Sequence, residues 1–453
     1  MTRPSPAPPP ASTPPGRTPP GGRADADGAA ATDADVLVIG AGAAGLLAAL
    51  AAGRAGARVL LLEGSARVGT KIRASGGGRC NILPSRARDD GFFSHSDAKA
   101  MAQVLARWPL PQVRAFFERD LRLPLRDEAA DKVFPASGRA DDVVQALLAG
   151  VAAAGVTLRT DARVAELRGF GGHDAGGEVQ LVDGTLLRAR RAIVCAGGLA
   201  LPRSGSDGWG LQLAEALGHT IEPTYPALVP LSVDASDLRA LSGVSLPVRM
   251  RVVGPASEGG RELAREDGDL LLTHRGLSGP AVLQISRHLT DPRGRGRRLE
   301  LAWGATDWPA ALADGRGGRT LGQALRAELP NRLAEALLER LAAGKAGATA
   351  ATVAADRLAG LSRNDRAATL ALLTRFGPVV TGSEGYKTAE VMAGGVALTA
   401  IDPRTLASRS HPGLHFAGEV LDVTGRLGGF NFLWAWVSGK VAGEAAAAGA
   451  ARG

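Results

Sequence analysis

Asp35-Val-Leu-Val-Ile39, Gly40-Ala-Gly42-Ala-Ala-Gly45 and Arg58-Val-Leu-Leu-Leu62-Glu63 are the stretches that decide the fold. The first is an apolar run of strand type. It enters a glycine-rich turn, and Leu46 to Gly56 then reads as a helix. The second apolar run ends on an acid, Glu63, 18 residues beyond Gly45. Strand, Gly-x-Gly-x-x-Gly turn, helix, strand and terminal acid together form the dinucleotide-binding βαβ fingerprint. Each glycine has its own reason. Gly40 permits the tight turn, Gly42 lets a pyrophosphate approach the backbone, and Gly45 lets helix and strand pack closely. Ala43 and Ala44 keep the helix start small, and its free N–H groups and positive dipole end suit phosphate. Glu63 is placed to accept hydrogen bonds from an adenosine ribose.

The chain has 453 residues, which suggests two or three domains at roughly 150 residues each. Its net charge of +8 is mostly arginine on an Ala- and Gly-rich background. Charge of this kind bears on partners and solubility, not on fold. The densest basic run, Arg293-Gly-Arg295-Gly-Arg297-Arg298, reads as a solvated loop, with contact to RNA or phosphate as the alternative. Cys80 and Cys195 are the two cysteines. Their spacing excludes a CxxC redox pair and a cysteine-rich zinc site, and no metal is expected. A reducing, cytoplasmic setting follows as the expectation. No secretory signal and no membrane span are expected.

Residues 1–32 are rich in Pro, Ala and Gly without apolar periodicity, the composition of a disordered tail. From Asp33 a first domain begins. Helices are expected at Ala98–Arg107, Gln112–Arg119 and Asp141–Ala154. Val156–Leu167 and Glu178–Leu187 alternate like strands, with Asp183-Gly184 as a hairpin turn, and Arg191–Gly198 is a buried strand. Residues 222–310 suggest a small antiparallel β domain. Leu321, Leu325, Leu329, Leu333, Leu337, Leu338 and Leu341 recur at helical spacing in a helical insert. Leu414–Ala447 is a closing strand-loop-helix that should rejoin the first domain. The expected boundaries are 33–215 with 380–450 for a discontinuous Rossmann-type α/β domain, 216–312 with 374–379 for a β-barrel-like domain, and 313–373 for the helical insert.

Small-residue loops follow strands at four places: 40–45, 69–81, 196–210 and 417–429. Four loops converging on one ligand fit a large cofactor buried along its length, as FAD requires. At this point the chain resembles the bacterial flavoproteins of the aminoacetone-oxidase-like family, related to those of bile-acid dehydroxylation operons. The motifs are Gly40–Gly45 with Glu63; Gly69-Thr-Lys71 through Ser75-Gly76-Gly77-Gly78-Arg79-Cys80-Asn81; Val133-Phe-Pro135 with Ala140-Asp-Asp-Val143; Ala196-Gly197-Gly198 through Gly210; and Gly413 through Gly418-Glu419-Val-Leu-Asp422 and Gly428-Gly429-Phe430-Asn431. Thr273–Pro280 also looks like the family's insert.

The resemblance implies an FAD domain interrupted by a β-barrel and a small helical domain. It implies an FAD-dependent oxidoreductase acting on an unidentified small molecule by hydride transfer through a tightly bound flavin, with NAD(P)H as a candidate transient donor. Glu63 should hold the AMP ribose, and Val164 the adenine edge through backbone groups. Lys71 and Arg79 should neutralise pyrophosphate or flavin charge, and Ser75–Gly78 should bring backbone N–H groups to the isoalloxazine. Glu419 should hold the ribityl chain, and Gly428–Asn431 should open the last helix toward flavin N1. Cys80 is read as a small residue packed near the flavin rather than a catalytic thiol, and His274 as a turn residue. No residue is singled out as catalytic. Two alternatives remain open: a flavin-dependent RNA-modifying or RNA-binding protein, with nucleic acid the less favoured partner, and a non-enzymatic flavin redox sensor. Oligomeric state is not legible.

Overall fold

In a computed structural model, residues 33–172, 175–313 and 318–451 are described; the expected tail, 1–32, lies outside them. The fingerprint folds as its spacing requires. Strand β1 (Ala34–Ile39) leads into helix α1 (Ala43–Arg54), which returns the chain to β2 (Val59–Leu62). The two strands are parallel, with Val36 opposite Val59 and Ile39 opposite Leu62. Such pairing needs a crossover, and α1 is that crossover. Val36, Leu37 and Val38 have no exposed surface, as expected of a central strand covered on both faces.

The sheet grows outward from β1. Strands β3 (Thr157–Arg159), β4 (Val164–Gly169), β5 (Gly177–Leu181) and β6 (Leu186–Val194) give the order β3-β2-β1-β6-β5-β4. The closing strand Leu414–Phe416 pairs in parallel with the end of β6. Asp183 and Gly184 turn β5 into β6, as their chemistry predicts. The expected single strand over Val156–Leu167 is two strands. The chain breaks at Asp161, which takes a left-handed φ of 52°, a conformation aspartate tolerates better than most residues. One strand therefore joins β2 and the other joins β5.

Helix α1 begins three residues earlier than the Leu46 start read from the sequence, directly at the glycine turn. It is buried nearly all round: Leu46, Leu47, Ala48, Ala49, Leu50 and Ala52 are each 2% exposed or less. On its far side lies the C-terminal helix, Phe430–Ala450. Gly439 and Gly443, four residues apart, face it. A Cβ on Gly439 would lie 2.3 Å from the Ala44 carbonyl oxygen, and one on Gly443 2.2 Å from that of Ala48. The two helices thus meet backbone to backbone.

A second, antiparallel sheet has the order Arg298–Trp303, Ser245–Val253, Glu262–Leu272, Gly276–Ser278, Leu231–Val233, Val380–Ser383. Ser245–Val253 alternates exposed and buried residues along most of its length, the period of a strand with one solvated face. The leucine ladder forms helices Leu321–Glu328 and Asn331–Ala343. Leu325, Leu333, Leu337 and Leu338 share one hydrophobic cluster with Trp303 and Trp308. Thr320 and Gln323 close a capping box at the first of these helices. Strand Ile221–Ala227, antiparallel to Val391–Val396, carries the chain between the two sheets.

Replacement of Gly439 by valine should therefore destabilise the protein by on the order of 3 kcal/mol, since the overlap falls on backbone that cannot rotate away. Gly360→Ala, where an added Cβ meets nothing within 4 Å, should stay within about 0.5 kcal/mol of the parent in urea denaturation. Equal midpoints for the two variants would contradict the close helix contact.

Candidate active site

All four small-residue loops open into one cavity of about 780 Å³. It has two ends. At one, Glu63, Gly64, Ser65, Arg163 and Val164 stand beside Ser206, Asp207 and Trp209. At the other, Lys132 and Phe134 stand beside Pro280, Leu283, Glu390, Leu427 and Gly428. Lys71, Ala196, Gly197, Gly418 and Glu419 also contribute to the wall.

The glycines of the fingerprint stand in three different settings. Gly40 has a φ of +98°, and an added Cβ would lie 2.6 Å from the Cys195 carbonyl oxygen. A Cβ on Gly45 would lie 1.7 Å from the Gly40 carbonyl oxygen, so Gly45 belongs to the packing and does not line the cavity. Gly42 is different: an added Cβ meets no atom within 4 Å, because that space is the cavity. Helix α1 starts at Gly42 without a side-chain cap, leaving first-turn N–H groups for a ligand. The cradle is one a phosphate fits and a side chain would fill.

Glu63 fixes the first end. Its carboxylate accepts from the Ala41 N–H at 3.0 Å and from the Ser65 N–H and hydroxyl at 3.0 and 2.8 Å. Val164 lies on β4, whose next residue, Ala165, accepts from the Trp209 indole at 3.3 Å. Arg163 pairs with Asp207. Asp207 and Trp209 therefore fasten the 196–210 loop to the strand that carries Val164, a link invisible in their spacing.

In the middle, Lys71 pairs with Glu419, whose other oxygen accepts from the Met392 N–H at 2.8 Å. Cation and anion sit in one wall, 348 residues apart in sequence. The Gly418 N–H donates to the Ser438 hydroxyl at 3.0 Å, and its carbonyl accepts from Trp434 at 3.0 Å.

Ser75, Gly76 and Gly77 line the cavity. Gly76 and Gly77 hold left-handed φ of 56° and 66°, a turn that few other residues would form. Arg79 lines it too, 3.0 Å from Glu128 and with its guanidinium 4.1 Å from the Phe134 ring centroid. Its charge is already partnered. With the Asn81 amide turned so that its nitrogen faces them, it donates to the Leu83 and Val133 carbonyls, both at 3.2 Å. The Gly428-Gly429 turn presses on Leu83, where a Cβ at Gly429 would lie 2.4 Å from backbone carbon. Asn431 ties that turn by accepting from the Gly425 N–H at 2.8 Å and donating to its carbonyl at 3.0 Å. The last helix then starts at Gly429 with no side-chain cap, its positive end toward the cavity.

Beyond the lining fall Gly45, Gly78, Cys80, Gly198 and Phe430 of the expected set. Gly198 faces Met392, 2.8 Å from where its Cβ would be. Phe430 packs edge-on against Phe92 at 5.5 Å. Cys80 is wholly buried, and burial pushes its thiol up to about 12. Cys195 is buried as well. His274 sits on an exposed bend outside the lining. His415 is core: its Nδ1 lies 2.9 Å from the Thr405 carbonyl, and burial pushes it down to about 4. In the basic run, Arg293 pairs with Asp291 at 3.0 Å and Glu222 at 3.2 Å, and Arg297 with Asp291 at 3.8 Å.

Three residues escaped the sequence reading. Asp422 lay within a quoted motif but had no role. Its Oδ2 accepts from the Ser94 and Ser96 hydroxyls and the His95 and Ser96 N–H groups at 2.7 to 3.0 Å. Burial raises its carboxyl above the usual range against those donors. Lys132 and Glu390 lie outside the motifs quoted above. For Glu390 a signal exists: it lies shortly before a further glycine pair, Gly394-Gly395.

The HI0933-like Rossmann-domain family model matches residues 34–445. The chain belongs to this family. Among curated relatives, the ribosomal RNA dihydrouridine synthase of Escherichia coli K12 is 33% identical over 417 residues, covering 89% of this chain and 96% of the relative. The 3-dehydro-bile acid delta(4,6)-reductase of Clostridium scindens is 33% identical over 424 residues, 90% of this chain and 98% of that one. Among solved structures, the 3-ketosteroid-delta4-(5alpha)-dehydrogenase of Rhodococcus jostii RHA1 with 4-androstene-3,17-dione has a TM-score of 0.46 and 16% identity, covering 93% of this chain and 99% of that one. The HI0933-like chain is an FAD-dependent oxidoreductase. When bound, FAD supplies two-electron hydride chemistry. Among the described residues, no helix is long and apolar enough to cross a membrane.

Two outcomes follow. Gly42→Val should fold with a midpoint near that of the parent yet purify without flavin, because its side chain enters only the cavity; a fully flavinylated variant would contradict the cradle. Native protein at pH 8 should leave both thiols unreacted with iodoacetamide until it is unfolded. Rapid labelling of Cys80 in the native state would contradict its burial.

Proposed function

We propose that this protein is an FAD-dependent reductase of a carbon–carbon double bond conjugated with a carbonyl, fed by transiently bound NAD(P)H. One observation carries the reading. Two relatives at the same identity, each spanning about nine-tenths of this chain, bear names that describe this one chemistry. Dihydrouridine is uridine with its C5=C6 bond, conjugated with C4=O, saturated; a delta(4,6)-reductase of a 3-dehydro steroid acts on a conjugated dienone. The substrates differ in size and polarity, but the bond does not.

The cavity agrees with such a task. Its Lys132–Gly428 end is walled by the apolar Pro280, Leu283 and Leu427, where a planar unsaturated ring can lie against flavin. The roles expected for Glu63, Val164, Lys71, Ser75–Gly77, Glu419 and Gly428–Asn431 toward FAD carry over as part of this proposal, as do the three expected domains. The sequence has one dinucleotide fingerprint. It is taken up by FAD, so the nicotinamide donor binds and leaves. RNA is the second reading, favoured by the name of the Escherichia coli relative and by the +8 net charge. The pairing of Arg293 and Arg297 with acids weakens the most basic run as its anchor.

The test is anaerobic. NADPH, then NADH, is added to the yellow protein and flavin absorbance is followed. Bleaching by either, then return of colour on adding a 3-oxo-4,6-diene steroid or unmodified ribosomal RNA, is the expected result. Flavin that neither nucleotide reduces contradicts the donor assignment.

A further inference from the structure

Four acids line the cavity: Glu63, Asp207, Glu390 and Glu419. Three are engaged. Glu63 holds Ala41 and Ser65, Asp207 pairs with Arg163, and Glu419 pairs with Lys71 and holds Met392. Among the described residues, the Glu390 carboxyl alone of the four makes no hydrogen bond or ion pair. We propose that Glu390 is the acid that protonates the substrate, a role that rests on the reductase reading above.

Its placement argues for this. The Glu390 N–H donates to the Leu228 carbonyl at 3.2 Å, so the main chain is held while the side chain opens into the cavity. Two residues on, Met392 is anchored to Glu419. The neighbouring wall is apolar: Val391, Leu283, Pro280 and Leu427. Lys132 is the nearby cation, at the end that also carries Gly428: its Cγ lies 3.9 Å from where a Gly428 Cβ would be. Glu390 is open to solvent on its cavity side, and desolvation by the protein around its carboxyl still raises it above the usual glutamate range, against the pull of Lys132. A carboxyl moved in that direction is better suited to give up a proton as a general acid.

The step balances. The bound cofactor would supply the hydride, two electrons and one hydrogen, that reaches the carbon β to the carbonyl. The double-bond pair moves onto the α carbon and carbonyl as an enolate. The Glu390 O–H bond breaks, and its proton forms the new bond at the α carbon. The substrate gains two hydrogens, the flavin is left oxidised, and the carboxylate regains a proton from water.

The experiment uses the flavin-loaded full chain, reduced photochemically so that no nicotinamide is needed. It is mixed without oxygen with the 3-oxo-4,6-diene steroid or with unmodified ribosomal RNA. Glu390→Gln, nearly isosteric but without an acidic proton, should keep its flavin and be reoxidised on the order of 10² to 10⁴ times more slowly than wild type. Glu390→Asp should fall between the two. A flavin-loaded Glu390→Gln variant reoxidised at the wild-type rate, or Glu390→Asp as slow as Glu390→Gln, overturns the role and leaves the reductase reading standing. Wild-type protein reoxidised by neither probe overturns both.

Discussion

The carbonyl oxygen of Gly40 leaves no room for a side chain on Gly45, and the rest of the structure depends on that contact. It seats α1 on the end of β1 and aims the helix N-terminus at the cavity. The same economy of space recurs behind α1, where Gly439 and Gly443 admit the C-terminal helix to within backbone distance. A helix pinned on both sides by backbone cannot slide. Because the C-terminal helix also begins at the cavity, with Gly429 as its cap, one packing arrangement orients two helix dipoles toward the same cavity.

Charge is handled as carefully as space. The Lys71–Glu419 pair and the Glu419–Met392 hydrogen bond join the early glycine loop, the closing motif and the connecting strand. Asp422 does the same for the Ser94–Ser96 segment, with four donors on one oxygen. Every other acid of the cavity wall being committed, the unpartnered Glu390 stands apart. Solvent reaches this residue, so its carboxyl needs no protein partner until a ligand covers it.

Much of this was legible in the sequence because it is local. The βαβ fingerprint, the Asp183-Gly184 hairpin and the leucine ladder each rest on spacing within one or two elements. The four cavity loops were legible as glycine clusters, since backbone that approaches a ligand must lack side chains. What was not legible is non-local. Lys71 and Glu419 are 348 residues apart, and nothing in either segment says that they pair. Gly78, Cys80, Gly198 and Phe430 sat inside the right motifs but turn toward Met392, Phe92, the core or solvent, because a loop has two faces and a motif does not say which is which. The break at Asp161 was missed because the alternation on either side continues through it.

The proposed function requires one long cavity to hold a dinucleotide flavin from its adenosine to its ring. The most direct test is to unfold the purified protein, separate the released cofactor and measure its mass and stoichiometry. One FAD per chain is the expected result. FMN, or no flavin from a folded chain, would contradict it, since the Gly42 cradle and Glu63 would then have no ligand to hold.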